Sequence, residues 1–375
     1  MPAASNILML VHSNYVDDNR VRRQAETLTE AGYKVHCICV GLDIPGELNG
    51  VTLQAFNPAA KSGKSRFIEV IRTFGKFIKE TDADIIHAHD LDAFTAAGFY
   101  GGFKNKRVIY DSHELYLESM GLYKRPVTRF IWSVCERRYI KKADAVITVN
   151  DTIADILKEK YSLKEKPVVI RNFTNKPESG NFDKNIAAKV NELKAKFPHI
   201  VLYHGMLRNG RGLEMMLDVL KDKPNWAGVI CGDGPLREKL LQDLKKDDSE
   251  SRIFYAGHVK RADFVAISER CTAGFCYLEP IVPNHKYALP NKFSEYVQQG
   301  LPVIASDIPE LKNLTEKWGT GIATDNKKNI VAFLSSLEDE SDRNSFTDNL
   351  KSAAKSLNWE AEKPKLLELY RRLTR

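Results

Sequence analysis

The feature that most constrains this chain is a rhythm. Short apolar runs alternate with stretches of helical period, the alternation stops at a polar segment, and then it starts again. In the first half, Ile7–Val11, Val35–Val40, Asp84–Asp90, Arg107–Asp111, Ala145–Val149 and Val168–Ile170 read as strands. Helices are predicted between them over about 19–32, 67–79, 92–101 and 126–143, the first closing on Gly32, which suits the left-handed position after a helix end. In the second half, Ile200–His204, Gly228–Cys231, Arg252–Ala256, Ala273–Tyr277, Pro302–Ala305 and Gly321–Thr324 repeat the strand pattern. Helices from Leu213, from Pro235 and over 292–299 lie between these strands. Strands separated by single helices predict an α/β chain with two parallel, doubly wound sheets.

The boundaries follow. Residues 1–175 are expected to form the first Rossmann-like domain and 176–199, polar with Pro177 and Pro198 near its ends, a linker. Residues 200–357 form the second domain, and 358–375 a final amphipathic helix through Leu366, Leu369 and Leu373 that returns to the first. A length of 375 residues with 43% hydrophobic and 28% charged residues supports two ordinary cores and excludes disordered, collagen-like and disulfide-stapled chains. No apolar run approaches the roughly 20 residues needed to span a bilayer. The start reads as a buried strand rather than a signal peptide, because no basic region precedes it and Asp17 and Asp18 follow. Six scattered cysteines, two of them on one strand face in Cys37-Ile38-Cys39, read as reduced structural thiols in a cytoplasmic protein.

The net charge of +7 is unevenly spread. Basic clusters lie at Lys61–Lys79, at Lys104–Arg107, and at Lys124, Arg125, Arg129, Arg137, Arg138, Lys141 and Lys142 among aromatic residues. They read either as solvated helix faces or as a surface for anionic lipid headgroups or a diphosphate-bearing acceptor, which would make the protein peripheral on the inner face of a membrane. Nucleic acid is disfavoured as a partner because no nucleic-acid motif accompanies the charge.

Three strand-to-helix turns suit phosphate. The first is Tyr203-His-Gly-Met-Leu-Arg-Asn-Gly-Arg-Gly-Leu-Glu214, with Arg208 and Arg211 able to neutralise a diphosphate; the others follow at Gly232-Asp-Gly-Pro235 and Gly257-His258. The longest signal is Tyr287-Ala-Leu-Pro-Asn-Lys-Phe-Ser-Glu-Tyr296 followed by Gln299–Asp307, a loop entering a helix whose free N–H groups make an anion site. Glu295 is expected about one turn in, positioned to hold a ribose or, alternatively, to complement the helix dipole.

In order and spacing these motifs resemble the donor domain of the GT-B glycosyltransferases, most closely glycosyltransferase family 4. DNRVRRQAETLTEAGYKV (18–35), IIHAHDLDA (85–93) and YDSHEL (110–115) extend the resemblance over nearly the whole chain. It implies two Rossmann-like domains facing across a cleft, a nucleotide-sugar donor carrying UDP or GDP, a retaining reaction, and neither cofactor nor catalytic metal. Position by position, Glu295 matches the glutamate holding the donor ribose and Arg211 the base gripping the diphosphate. Gly205, Arg208, Gly232, Gly234, His258, Pro290, Asn291 and Lys292 complete the donor site. His113 matches the histidine that lies against the transferred sugar; without its neighbours it reads instead as a polar residue closing a strand. His12, Ser13, Asn14, Arg20, His89 and Asp90 fall where acceptor contacts lie, and among Arg20, Arg22 and Arg23 one reads as reaching an acceptor phosphate and another as a solvated helix charge.

Two positions depart from the family pattern. Tyr287 stands where a glutamate eight residues before Glu295 is usual, and Met206 where a base commonly follows Gly205, with Arg208 placed to compensate. The expected reaction moves a sugar from the diphosphate to a hydroxyl of a glycan or lipid-diphosphate-linked acceptor in surface polysaccharide synthesis. A nucleotide-sugar epimerase and a non-catalytic nucleotide-sugar-binding protein are the alternatives. A dinucleotide-dependent dehydrogenase is disfavoured because His12-Ser-Asn-Tyr, not a GxGxxG turn, follows the first strand.

Overall fold

The computed structural model describes residues 5–42, 44–176, 180–246 and 251–375. The chain divides into two compact units. The first comprises the chain through Asn172 with Val282–Asn284 and Glu362–Arg375; the second comprises Phe173–Ile281 and His285–Ala361.

The first unit is built on Asn6–Leu10 (β1), Lys34–Val40 (β2), Glu47–Leu48 (β3), Val51–Phe56 (β4), Ile85–His89 (β5), Arg107–Ser112 (β6), Ala145–Thr148 (β7) and Val168–Val169 (β8). They form one sheet in the order β3-β4-β2-β1-β5-β6-β7-β8, parallel except for the β3–β4 pair. The strand order reverses between β1 and β5, so the loops leaving their carboxyl ends diverge and open a crevice. β1 and β5 are buried on both faces; β1 reads as a near-continuous apolar run, while β5 carries two buried histidines, His87 and His89. Helix Asn19–Glu30 follows β1, capped by Asp18, whose carboxylate accepts from the N–H of Arg20 and Val21, and Gly32 just past its end has φ +93 as expected.

The second unit contains His199–His204 (β9), Trp226–Cys231 (β10), Ile253–Gly257 (β11), Ala273–Cys276 (β12), Val303–Ala305 (β13) and Gly321–Ala323 (β14), all parallel, in the order β11-β10-β9-β12-β13-β14. Alternate residues feed two cores, one on each face of the sheet. Ile200, Leu202, Val229 and Val303 lie in one; Val201, Tyr203, Ile230 and Ile304 lie in the other. Here the order reverses between β9 and β12.

One expectation is corrected. Within the proposed linker, of which residues 177–179 lie outside the described residues, Lys184–Lys196 forms a helix. It buries Ala187, Val190 and Leu193 in the second unit. The final helix spans Trp359–Leu373, and its residues from Glu362 onward cluster with the first unit, where Leu366, Leu369 and Tyr370 are buried.

Candidate functional site

In the first unit, the crevice at the strand reversal holds a pocket of about 220 Å³ lined by His12 and Ser13 from the loop after β1, His89 and Asp90 at the end of β5, and His113 from the loop after β6. A larger pocket of about 410 Å³ sits at the amino ends of β7 and β8, the opposite edge from the one where open α/β sheets bind ligands. β5 turns into helix Asp90–Phe99 abruptly, with Asp90 at φ +64, a conformation most side chains avoid. Held there, Asp90 accepts the His113 backbone N–H at 3.0 Å and lies 3.5 Å from its Nδ1. Two residues on, Asp92 sits 2.6 Å from His12 Nδ1. Two histidines on the pocket wall are thus each oriented by a carboxylate. Burial pushes Asp90 up to about 6, against the opposing pull of His113.

Beneath the pocket lies a closed network. Asp111, with no exposed surface, accepts from Arg20 Nη2 at 2.6 Å, Arg20 Nε at 3.2 Å and Gln24 Nε2 at 2.8 Å. His87 and His89 stack at 4.2 Å between ring centres, each about 3.5 Å from the same carboxylate. Burial would raise Asp111, but Arg20 and the surrounding histidines overturn this and hold it well below the usual carboxylate range. Burial, reinforced by His87, pushes His89 down to about 3, so it is a neutral imidazole 3.1 Å from His113 Nε2. His87, His89 and Asp111 bring three metal-ligand atoms within 4.8 Å, but the guanidinium of Arg20 already occupies the carboxylate and opposes a cation there.

This corrects the expectation that Arg20 is an acceptor contact. It is 3% exposed, with Nη1 on the Ile170 carbonyl at 2.6 Å and its other nitrogens on Asp111, so it holds the scaffold together. Arg22 and Arg23 are half-buried, with Arg22 donating to the Val16 carbonyl and Asn19 and Arg23 to Asn172. His89, 1% exposed, acts beneath His113. Ser13 donates to Asp18 at 2.7 Å, and Asn14 accepts the Val16 N–H at 2.9 Å.

In the second unit, three turns leave the carboxyl ends of β9, β10 and β11 laced backbone to backbone. Gly205 donates to the Cys231 carbonyl, Leu207 to Asp233 and Gly232 to Gly257, at 2.9, 2.9 and 2.7 Å. A Cβ on Gly232 would stand 1.9 Å from the Gly205 carbonyl oxygen, and one on Gly234 2.4 Å from that of Leu207. These glycines are demanded by loop-on-loop packing as well as by any ligand. His258 is exposed just beyond the third turn.

Against this platform sits helix Asn291–Gln298, with Pro290 before it and no side chain capping its first N–H groups. Lys292 is 8% exposed, its Nζ 3.4 Å from the Tyr277 carbonyl, 3.5 Å from that of Arg211 and 4.8 Å from the centre of the Tyr203 ring. Among the described residues no carboxylate lies within ion-pair distance of it, and burial pushes its ammonium down to about 8. Arg211 and the half-buried Arg208, whose Nε lacks a partner, belong to the adjoining glycine turn. Glu295 falls in the second turn rather than the first, which removes the simple helix-dipole explanation for it, and its Oε2 faces His204 Nδ1 at 3.3 Å. Arg208, Arg211, Lys292 and Glu295 thus gather at the strand reversal, where α/β sheets bind ligands.

Sequence reasoning missed His204, Asp92, Asp111 and Glu279. The first three lie inside motifs already singled out, and parallel pairing carries each motif's end to the same sheet edge. Glu279 is tied by its N–H to the Gly210 carbonyl at 2.9 Å, in the first glycine turn.

Two doubly wound units with these turns define the GT-B fold, and the comparisons with known proteins agree. Residues 18–176 match the model of Glycosyltransferase Family 4 and residues 185–356 that of Glycosyl transferases group 1, together most of the chain. The chain belongs to the family 4 type of GT-B glycosyltransferases. No curated protein matches. Among solved structures, sucrose-phosphate synthase from Thermosynechococcus elongatus is similar in fold at a TM-score of 0.79 and 17% identity, covering 98% of this chain and 99% of that one. HepE of Anabaena, solved with UDP-glucose, gives 0.73 at 14% identity over 98% and 100%. WaaG, a glycosyltransferase involved in lipopolysaccharide biosynthesis, gives 0.71 at 13% identity over 97% and 99%.

Proposed function

We propose that this glycosyltransferase moves a hexosyl group from a nucleoside-diphosphate sugar to a hydroxyl of a glycan or lipid-linked acceptor, with retention of anomeric configuration and in the synthesis of a surface polysaccharide. The observation that carries the reading is Lys292, a buried cation with no carboxylate within ion-pair distance among the described residues, at an uncapped helix N-terminus beside a glycine turn bearing two arginines. A buried ammonium is costly unless it meets an anion, and a diphosphate is the anion these turns suit. Glu295 accepts the ribose hydroxyls, its Oε2 standing 3.3 Å from His204 Nδ1. UDP is the first candidate for the nucleotide, in keeping with the UDP-glucose carried by HepE.

In the transfer, the bond between the anomeric carbon and the diphosphate oxygen breaks while negative charge grows on the phosphate. Arg211, Lys292 and the helix N–H groups stabilise that charge where it develops, without need of a metal ion. The acceptor hydroxyl attacks from the face the diphosphate leaves and gives its proton to the departing phosphate oxygen. The first unit supplies acceptor contacts through His12, fixed by Asp92, and His113, fixed by Asp90, lies against the sugar.

The test follows a panel of nucleotide sugars by NMR with oligosaccharide and lipid-linked acceptors, in the presence of EDTA. Transfer with retained configuration is expected, and Arg211→Ala should cut turnover on the order of 10²-fold. Interconversion of the donor sugar without any acceptor would favour the epimerase reading instead.

A further inference from the structure

Helix Pro126–Tyr139 has its faces arranged in an unusual way. Trp132, Glu136 and Tyr139, spaced four and three residues apart, turn inward, and the Glu136 carboxylate is satisfied there by the hydroxyls of Tyr110 and Tyr161. The outward stripe at one, four, five and eight of the helical repeat is Val127, Phe130, Ile131 and Val134, exposed by 70, 68, 53 and 49%. A helix on the surface of a soluble protein places polar residues there. Met120 and Tyr123, just upstream, are also exposed, so six of the thirteen large exposed apolar side chains among the described residues fall within 120–134.

Charge says what covers this stripe. Lys124 and Arg125 stand at its amino end and Arg137, Arg138, Lys141 and Lys142 at its carboxyl end, all exposed and none in an ion pair among the described residues. Between 119 and 143 the single acid is the inward Glu136. A second copy of the chain would set this face against itself, bringing like charges together at both ends. At about 1.5 Å per residue the helix is about 21 Å long, too short to cross a bilayer core of about 30 Å.

We propose that this helix is an interfacial anchor lying in the plane of an anionic bilayer. Val127, Phe130, Ile131 and Val134 enter the acyl boundary, and the six flanking cations meet lipid phosphates. The inference stands apart from the glycosyl-transfer chemistry and deepens it only by placing the enzyme where lipid-linked acceptors reside.

The test is co-sedimentation of the full chain with phosphatidylcholine vesicles, with and without phosphatidylglycerol, and with no donor present. Binding should appear with phosphatidylglycerol and weaken as salt rises. Neutralising Arg137, Arg138, Lys141 and Lys142 to Gln should lower the partition coefficient by about fivefold per charge. Phe130→Ser with Ile131→Ser should lower it by more than about tenfold. All six positions are exposed, so circular dichroism and thermal melting should match the parent chain. Equal binding to neutral vesicles, or binding unchanged in both variants, overturns the proposal. So does a wild-type dimer that ignores vesicles and that Phe130→Ser dissolves, since the stripe would then be an interface between copies.

Discussion

Replacing Lys292 by Met should make the protein more stable and a worse enzyme at once. The ammonium is buried, donates only long bonds to two carbonyls, and among the described residues has no carboxylate within ion-pair distance, Glu295 on the same helix only partly offsetting its burial. A fall in its pKa from 10.5 to about 8 corresponds to about 3 kcal/mol set against the charged form. Methionine fills nearly the same volume without that cost, so Lys292→Met is expected to gain about 1–3 kcal/mol in urea unfolding at neutral pH. It also removes a charge-assisted bond to phosphate, worth about 1.5–3 kcal/mol, so UDP affinity by calorimetry should fall by about 10- to 150-fold. The pH dependence has a definite sign. Between about 8 and 10.5 the unfolded chain holds more protons at this lysine than the folded one, so wild-type stability should rise with pH across that window. The variant should lack that rise. A bound diphosphate restores the charge, so wild-type affinity should weaken as pH climbs above about 8, again not in the variant. A variant that loses stability and binds UDP as well as wild type would refute this reasoning.

Two further expectations concern the first unit. Arg20→Met leaves the Asp111 carboxylate buried beside neutral histidines and should cost about 3–5 kcal/mol in chemical denaturation, with part recovered in Arg20→Met with Asp111→Asn. Because Asp111 is held below the usual carboxylate range when folded, its contribution is present above the ordinary carboxylate pKa and is lost as pH falls; Asp111→Asn should flatten the acid limb of the stability profile. Asp92→Asn frees the ring of His12 and should lower turnover on the order of 10²-fold in steady-state kinetics while nucleotide affinity stays unchanged.

How much of this was legible in the sequence depended on how local the signal was. β1 and the Ile200–Tyr203 stretch of β9 were readable because strands buried on both faces are continuous apolar runs. β4 was missed: Val51-Thr-Leu-Gln-Ala-Phe56 buries Val51 and Leu53 and exposes the residues between, so it offers only two core positions. The helix Lys184–Lys196 was hidden by its lysines, although Ala187, Val190 and Leu193 keep helical spacing. Arg20 shows charge overruling pattern. It shares the inward face of its helix with Val21, Gln24, Ala25 and Leu28, and that periodicity already pointed it into the core. At the donor-side site the motif containing Asn291, Lys292 and Glu295 was visible as a contiguous string. The approach of His204 to Glu295 arises from pairing β9 with β12, which brings together segments with no local signature of each other.

The most direct test of the central claim is calorimetric titration of the wild-type chain and of Glu295→Ala with UDP, GDP and their sugar conjugates. The account predicts that a nucleoside diphosphate binds the wild type and that the variant binds it at least about tenfold more weakly, the loss of hydrogen bonds to a charged acceptor. Absence of binding by every nucleotide, or equal affinity in the two proteins, would contradict it.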